Sequence, residues 1–246
     1  MIEHYIVLPD LHFPFLDPKY LKIVEKLIKD IRPAGIVQLG DFVDWFQISS
    51  FDKDPSRLNT AYEDLELYRE LLDRWEKLLP PGSVFHQIEG NHEDRLRRYI
   101  WQRAPQIAKM IRSITEMLQF PERNRRGRVK FKWHDLSNWQ SCKIGDVYLF
   151  HGFYYNQHVA MTLLNKYHAN VVAGHTHRVQ YVTNGRHFAW SLGHGSDEGQ
   201  TAHSPVPTGW EQAIGLLNVC DGKGSLEIYL VRDGETVIRG KPYATA

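Results

Sequence analysis

Five short stretches of this chain pair a metal-binding or proton-carrying side chain with a small or turn-forming neighbour. They are Asp10-Leu11-His12, Gly40-Asp41-Phe42-Val43-Asp44, Gly90-Asn91-His92-Glu93, His151-Gly152 and Gly174-His175-Thr176-His177. Each closes an apolar run, and several strands ending side by side can gather such residues into one polar cluster at a sheet edge. Asp10 and His12 lie two apart, so on an extended strand end they share a side. Taken singly the stretches are weak, because Asp and Gly serve turns and Asn91 is a favoured helix cap. Taken together, two Asp, one Asn and four His without a cysteine suit borderline or hard divalent ions and exclude a thiolate-type structural zinc. The set also exceeds the four ligands of a closed structural site. It is better shared between two ions with one carboxylate bridging them, an arrangement suited to phosphoryl chemistry. We expect manganese first, with iron, zinc, nickel or cobalt as alternatives.

The elements that must position these residues can be read from periodicity. Apolar runs at His4 to Leu8, Ile36 to Leu39 and Val84 to Ile88 predict strands. Helical spacing follows each of them, over Pro18 to Ile31, Ala61 to Leu79 and Glu93 to Leu118, the last interrupted near Pro105. Three strand-to-helix units in succession predict parallel pairing with right-handed crossovers. Further strands are expected at Val129 to Trp133, Val147 to Phe150 and Val171 to Ala173, with a helix over Gln157 to His168. Asn184-Gly185 between two short apolar runs predicts a hairpin. Gly215 to Val219, Leu226 to Val231 and Thr236 to Ile238 then continue as strands without helices. An antiparallel sheet following a parallel one predicts an α/β fold of two sheets packed face to face with helices outside.

The five blocks, in this order, resemble the signature of the calcineurin-like metallophosphoesterase superfamily: Asp-x-His, Gly-Asp-x-x-Asp, Gly-Asn-His-Asp/Glu, His and Gly-His-x-His. They run from residue 10 to residue 177. The resemblance implies a four-layer α-β-β-α sandwich of two mixed sheets with flanking helices. It implies that Asp10, His12, Asp41 and His177 hold one metal, and that Asp41 bridges to a second held by Asn91, His151 and His175. It makes His92 the proton donor to the leaving group, with Asp44 orienting it through its second ring nitrogen. A helix cap is the plainer role for Asp44. Departures narrow the class. Trp45 stands where protein serine/threonine phosphatases carry Arg. A lipid-accommodating lid after His151-Gly152 is missing, and the capping domain usual in repair-type nucleases would barely fit.

Residues 95 to 132 hold twelve Arg or Lys and two Glu, a local charge of +10 within a chain of +1. A phosphate-rich substrate, nucleic acid above all, is one explanation, with Arg95 and Arg98 as contacts. The other is intramolecular: Glu63, Asp64, Glu66, Glu70, Asp73 and Glu76 on the preceding helix would neutralise a basic neighbour. Trp45, Phe46, Phe51, Phe153, Tyr154 and Tyr155 follow metal blocks and would either stack on a base or form core. His194, in the loop Gly193 to Thr201, is a further candidate for substrate contact.

The length of 246 residues suits one metallophosphoesterase domain over 1–246, with a basic helical segment at about 93–127. With 30 basic against 29 acidic residues no overall field favours nucleic acid or an anionic membrane. Cys142 and Cys220, without a secretory leader, predict reduced thiols in the cytoplasm. No run is long enough to span a membrane. The reading is a two-metal phosphoesterase acting on phosphodiesters of nucleotides or nucleic acid, a phosphodiesterase or nuclease. A phosphomonoesterase and a non-catalytic metal-binding scaffold are the alternatives, and the oligomeric state is open.

Overall fold

The computed structural model describes residues 2–50, 53, 59–201 and 208–245. In chain order the first half runs β1 (Glu3–Leu8), α1 (Pro18–Ile31), β2 (Gly35–Gln38), α2 (Ala61–Leu78), β3 (Val84–Ile88), α3 (Asn91–Arg103), α4 (Ile114–Met117), α5 (Phe120–Arg126) and β4 (Lys130–His134). The second half runs β5 (Lys143–Ile144), β6 (Val147–Phe150), α6 (Val159–Tyr167), β7 (Asn170–Ala173), β8 (Gln180–Thr183), β9 (Phe188–Ser191) and α7 (Glu198–Thr201). The chain then closes with β10 (Gln212–Cys220), β11 (Lys223–Val231), β12 (Glu235–Ile238) and β13 (Lys241–Ala244).

Two mixed sheets form, ordered β11-β10-β1-β2-β3-β4 and β5-β6-β7-β9-β8. β1 to β4 are parallel neighbours, as are β6, β7 and β9. The late strands do not build the second large sheet. β10 returns to pair antiparallel with β1, Tyr5 facing Leu217, and carries β11 with it. The second sheet comes from the middle of the chain, and β12 and β13 make a separate two-stranded ribbon. The expected helix over 93 to 118 breaks at Ala104-Pro105 into a 3-10 turn, and only short helices follow it.

Strand alternation separates three apolar interfaces, which is what a four-layer stack requires. Ile6, Leu8, Ile36 and Phe85 point to α1 and α2, meeting Tyr20, Leu27, Leu72 and Trp75. Their neighbours Val7, Val37 and Ile88 point the other way, onto Val147, Leu149 and Val172 of the second sheet. Phe150, Val171 and Ala173 on that sheet's outer face meet Val159 and Leu163 of α6. Parallel strands within each sheet end on one edge, so the loops after β1, β2 and β3 confront those after β6 and β7.

Candidate metal centre

All five blocks lie just beyond strand ends, not on them. β1 stops at Leu8, β2 at Gln38, β3 at Ile88, β6 at Phe150 and β7 at Ala173. Main-chain bonds hold the loops together: His12 N–H donates to the Asp41 carbonyl and Phe13 N–H to that of Phe42, both at 2.9 Å. Side-chain alternation therefore does not bring Asp10 and His12 to one side. Left-handed backbone does, with φ of 50° at His12, 51° at Asp41, 79° at His175 and 58° at His177. Such conformations are costly for non-glycine residues and cluster where a site over-determines them. Two glycines are required by close approach. A Cβ on Gly90 would lie 2.1 Å from an Asp41 carboxylate oxygen, and one on Gly174 would lie 2.4 Å from that of Asp10.

The structure brings the seven expected ligands together in two sets. In one, His177 Nε2 lies 3.1 Å from Asp10 Oδ2 and 3.0 Å from His12 Nε2, with Asp41 Oδ2 4.0 Å from His12 Nε2. In the other, His151 Nε2 lies 2.9 Å from Asn91 Oδ1, 3.0 Å from His175 Nδ1 and 3.3 Å from Asp41 Oδ2. Asp41 Oδ2 thus stands between the sets. His151 Nδ1 bonds the Leu39 carbonyl at 2.9 Å, which turns Nε2 toward the cluster.

These donors fit divalent ions. Ligand bonds of about 2.1 Å at right angles place donor atoms about 3.0 Å apart, the separation seen here. Asp10 Oδ1 is buried among them without a hydrogen-bond partner. The field also favours positive charge. Burial alone would raise Asp41, yet the His151 and His92 imidazoles outweigh it and hold that carboxyl well below the usual carboxylate range. Burial would lower His151, but Asp41 and then Asp10 lift it to about 9.

His92 sits beside this centre, with Nε2 3.6 Å from Asp41 Oδ2. Its second nitrogen, Nδ1, makes its 2.8 Å hydrogen bond to the main-chain carbonyl of Asp44, while the nearer Asp44 carboxylate oxygen is 3.6 Å away. That carboxylate is closer to His12 Nδ1, at 3.4 Å, so Asp44 orients His92 through its backbone and shares its charge between two histidines. Burial first, reinforced by the His12 imidazole and the Arg95 guanidinium, brings His92 down to about 3 against the opposing pull of the Asp41 and Asp44 carboxylates. Arg95 donates to the same Asp44 carbonyl at 2.8 Å and lies 2.9 Å from His92 Nε2.

The remaining candidates divide. Arg95 and Tyr155 line both a cleft of about 290 Å³ over the metal-ligand sets and an adjoining trough of about 600 Å³. Arg98, 68% exposed, lines the trough, with its Nε donating to Asp94 at 2.5 Å. Trp45 and His194 require correction. Trp45 is buried and donates its indole N–H to the Ala61 carbonyl, so it is wall. His194 is buried behind His177, its ring stacked at 5.2 Å and Nδ1 2.9 Å from Ser196 Oγ, because the loop turns His194 and Ser196 inward as a hydrogen-bonded pair. Phe46 is buried, Tyr154 packs on the α6 interface, and Phe153 and Tyr155 are exposed. Phe51 lies outside the described residues.

Two residues at this centre had no role assigned from the sequence, Glu93 although it closes the third block and Trp210 altogether. Glu93 is fully buried and accepts from the N–H groups of Asp41 (2.9 Å), Gly90 (2.6 Å) and Val43 (3.2 Å), tying the second block to the third. Its place three residues after Gly90 is a capping-box spacing that could have revealed it. Trp210 packs edge-on against His177 with centroids 4.2 Å apart and lines the cleft. No local pattern announces it.

Comparison with known proteins gives three findings. A family model described as calcineurin-like phosphoesterase matches residues 4–179. The Gene 54 protein of Mycobacterium phage L5 is 29% identical over 119 residues, 46% of this chain and 45% of that protein, so the match spans less than half of the relative. Vacuolar protein sorting 29 from Cryptosporidium parvum superposes over the whole of both chains at 14% identity and a TM-score of 0.51, a likeness of fold.

Proposed function

The chain belongs to the calcineurin-like phosphoesterase family, and from that premise we propose that it is a two-metal hydrolase of phosphodiesters in nucleotides or nucleic acid. The observation that carries the reaction class is the convergence of seven donor groups in two sets that share Asp41 Oδ2. Asp10, His12, Asp41 and His177 would hold one ion, and Asp41, Asn91, His151 and His175 the other. Two carboxylates, an amide oxygen and four imidazoles suit manganese, as well as iron, zinc, nickel or cobalt. Divalent ions bound there would supply an activated water and neutralise charge on phosphoryl oxygens.

The chain's own groups do the rest. His92 stands at the rim where a leaving oxygen would depart and is held by its Nδ1 contact with Asp44, so Nε2 is the atom that would give up a proton. Arg95 now occupies that nitrogen. A phosphoryl oxygen entering the cleft would attract the guanidinium away from Nε2, leaving that nitrogen open to take up from solvent the proton it would then pass to the leaving oxygen. The trough supports a diester longer than one nucleotide, because Arg95, Arg98 and Arg103 line it together with Tyr99, Phe153 and Tyr155. Both cysteines are free, in keeping with a reducing compartment, and no helix of the described residues is long and apolar enough to cross a membrane.

The test is hydrolysis of an aryl phosphodiester with added manganese, run beside an aryl monoester, single-stranded DNA and cyclic nucleotides. Diesters should be preferred, and Asp41→Asn should reduce turnover by about a thousandfold or more. Preference for the monoester would replace the diesterase reading. Metal-loaded protein inert toward every phosphoester would leave a scaffold.

A further inference from the structure

A second group of metal-ligating side chains lies away from the cleft, in the seam between the two sheets. His86 is on β3, where its neighbours Phe85 and Ile88 belong to the helix-facing and inter-sheet clusters respectively, so alternation sends His86 to the inter-sheet side. His134 ends β4, the edge strand of the first sheet, and Cys142 directly precedes β5, the edge strand of the second. All three are buried, Cys142 completely. His86 Nδ1 lies 3.0 Å from His134 Nε2 and 3.6 Å from Cys142 Sγ, and the three ligand atoms fall within 4.8 Å of one another.

We propose that His86, His134 and Cys142 form a structural zinc site that staples the edges of the two sheets. Zinc bonds of about 2.05 Å to nitrogen and about 2.3 Å to sulfur, at tetrahedral angles, put nitrogen and sulfur about 3.6 Å apart and two nitrogens about 3.3 Å apart. The observed spacings need only a slight opening of the histidine pair. Imidazole and thiolate together select a borderline-soft ion, in contrast to the cleft, whose donors are imidazole nitrogens and oxygens. His134 is already oriented by a hydrogen bond to the Ser141 backbone. Burial keeps both imidazoles neutral, His86 down at about 3, and keeps the Cys142 thiol up at about 12. Coordination therefore forms one Zn–S and two Zn–N bonds and releases the Cys142 thiol proton to solvent. His86 and His134 retain slight exposure, 7% and 8%, which leaves a side for a water as fourth ligand. The competing arrangement is a bare His86–His134 hydrogen bond beside an inert thiol.

Sulfur makes the test specific, because the metal centre in the cleft contains none. Cobalt titrated into the intact protein should produce a thiolate-to-cobalt charge-transfer band in the near ultraviolet, saturating within three equivalents per chain, one for this site and two for the cleft. The band should vanish in Cys142→Ser and in His86→Gln and persist in Cys220→Ser. X-ray absorption at the zinc edge of the zinc-loaded native protein should show a sulfur scatterer at about 2.3 Å, a measurement that needs no variant to fold. A band that survives Cys142→Ser, or is lost with exposed Cys220, would overturn the site. So would the absence of any sulfur scatterer, or binding only at millimolar metal. Phosphoesterase activity is not read in either experiment, so failure here is distinct from failure of the proposed reaction.

Discussion

The arginines of α3 and those around α5 come from one basic stretch, yet the fold puts them to opposite uses. Arg123 is fully buried and meets Asp73 at 2.7 Å and Glu76 at 3.1 Å. Arg126 reaches the same Glu76 at 2.6 Å, and Arg128 donates to the carbonyls of Glu76, Lys77 and Leu79 at the C-terminal end of α2. Those carbonyls lack helical partners and carry the negative end of the helix dipole, so guanidinium groups are well placed there. On α3, by contrast, Arg95 turns to His92 and Asp44 beside the metal ligands, and Arg98 and Arg103 face the trough. The same composition has become structural cement in one place and the wall of a trough beside the metal centre in another. What differs is the neighbour: the α5 region lies against an acidic helix, whereas α3 begins inside a metal block.

The largest effect that can test this division falls on the group Arg95 touches. His92→Ala should slow diesters with poor leaving groups by about a thousandfold, the scale of general-acid catalysis, while aryl diesters with good leaving groups lose far less. Rates on a series of leaving groups provide the check, and equal losses across the series would detach α3 from the chemistry. Next comes Arg123→Ala, which leaves Glu76 to Arg126 alone, empties a buried space against Phe131 and strips the Leu118 and Arg69 carbonyls of their donor. It should cost about 3 kcal/mol of unfolding free energy in urea while leaving the catalytic constants of the folded protein unchanged. A drop in activity without a drop in stability would erase the contrast between the two regions.

This contrast was only half legible in the sequence. The charge run and the acidic helix before it are plain, and the intramolecular explanation holds for Arg123 and Arg126, which pair with Asp73 and Glu76. Which arginine went where depended on the break at Pro105, after which the chain turns back in short helices to lay Arg123 against α2. The five blocks were readable because glycine and metal-binding residues recur at the ends of apolar runs. Their convergence was not, since it depends on left-handed backbone at His12, Asp41, His175 and His177, residues that do not advertise it. The return of β10 to β1 was hidden for another reason: an apolar run records that a strand is buried and not which strand it pairs with. His86, His134 and Cys142 escaped notice because they are far apart in sequence and meet only across the sheet seam.

A smaller effect should appear when the trough wall is stripped of charge. Arg95→Ala combined with Arg98→Ala should raise KM for a single-stranded oligonucleotide about tenfold. The slope of log KM against log salt should flatten by about 1 to 2, as expected when two phosphate contacts are removed. Replacing Arg126 in the α5 group should leave that slope unaltered. A flattened slope in the Arg126 variant would mean that the cement also binds substrate.

The smallest effect lies on α2 itself, where acidic residues differ as sharply as the arginines do. Asp73 and Glu76 meet guanidinium groups, whereas Asp64, near the other end of the helix, is buried with Gln47 Nε2 donating to it at 3.0 Å. Burial, reinforced by the Asp44 and Glu63 carboxylates, raises Asp64 to about 6 despite hydrogen bonds from Gln47 and Asn59. The sign follows from the protons bound in each state. Between about 4 and 6 the folded protein keeps a proton that the unfolded chain has released, so this group makes stability fall as pH rises through that window. Above it the folded state carries a buried charge. Asp64→Asn keeps an acceptor for Gln47 and removes that charge. It should therefore stabilise the protein by about 1 kcal/mol at pH 8 and by almost nothing at pH 4. Urea denaturation at the two pH values reads the difference directly. A stability gain equal at both would show that Asp64 ionises normally and that every carboxylate of α2 is electrostatically at ease.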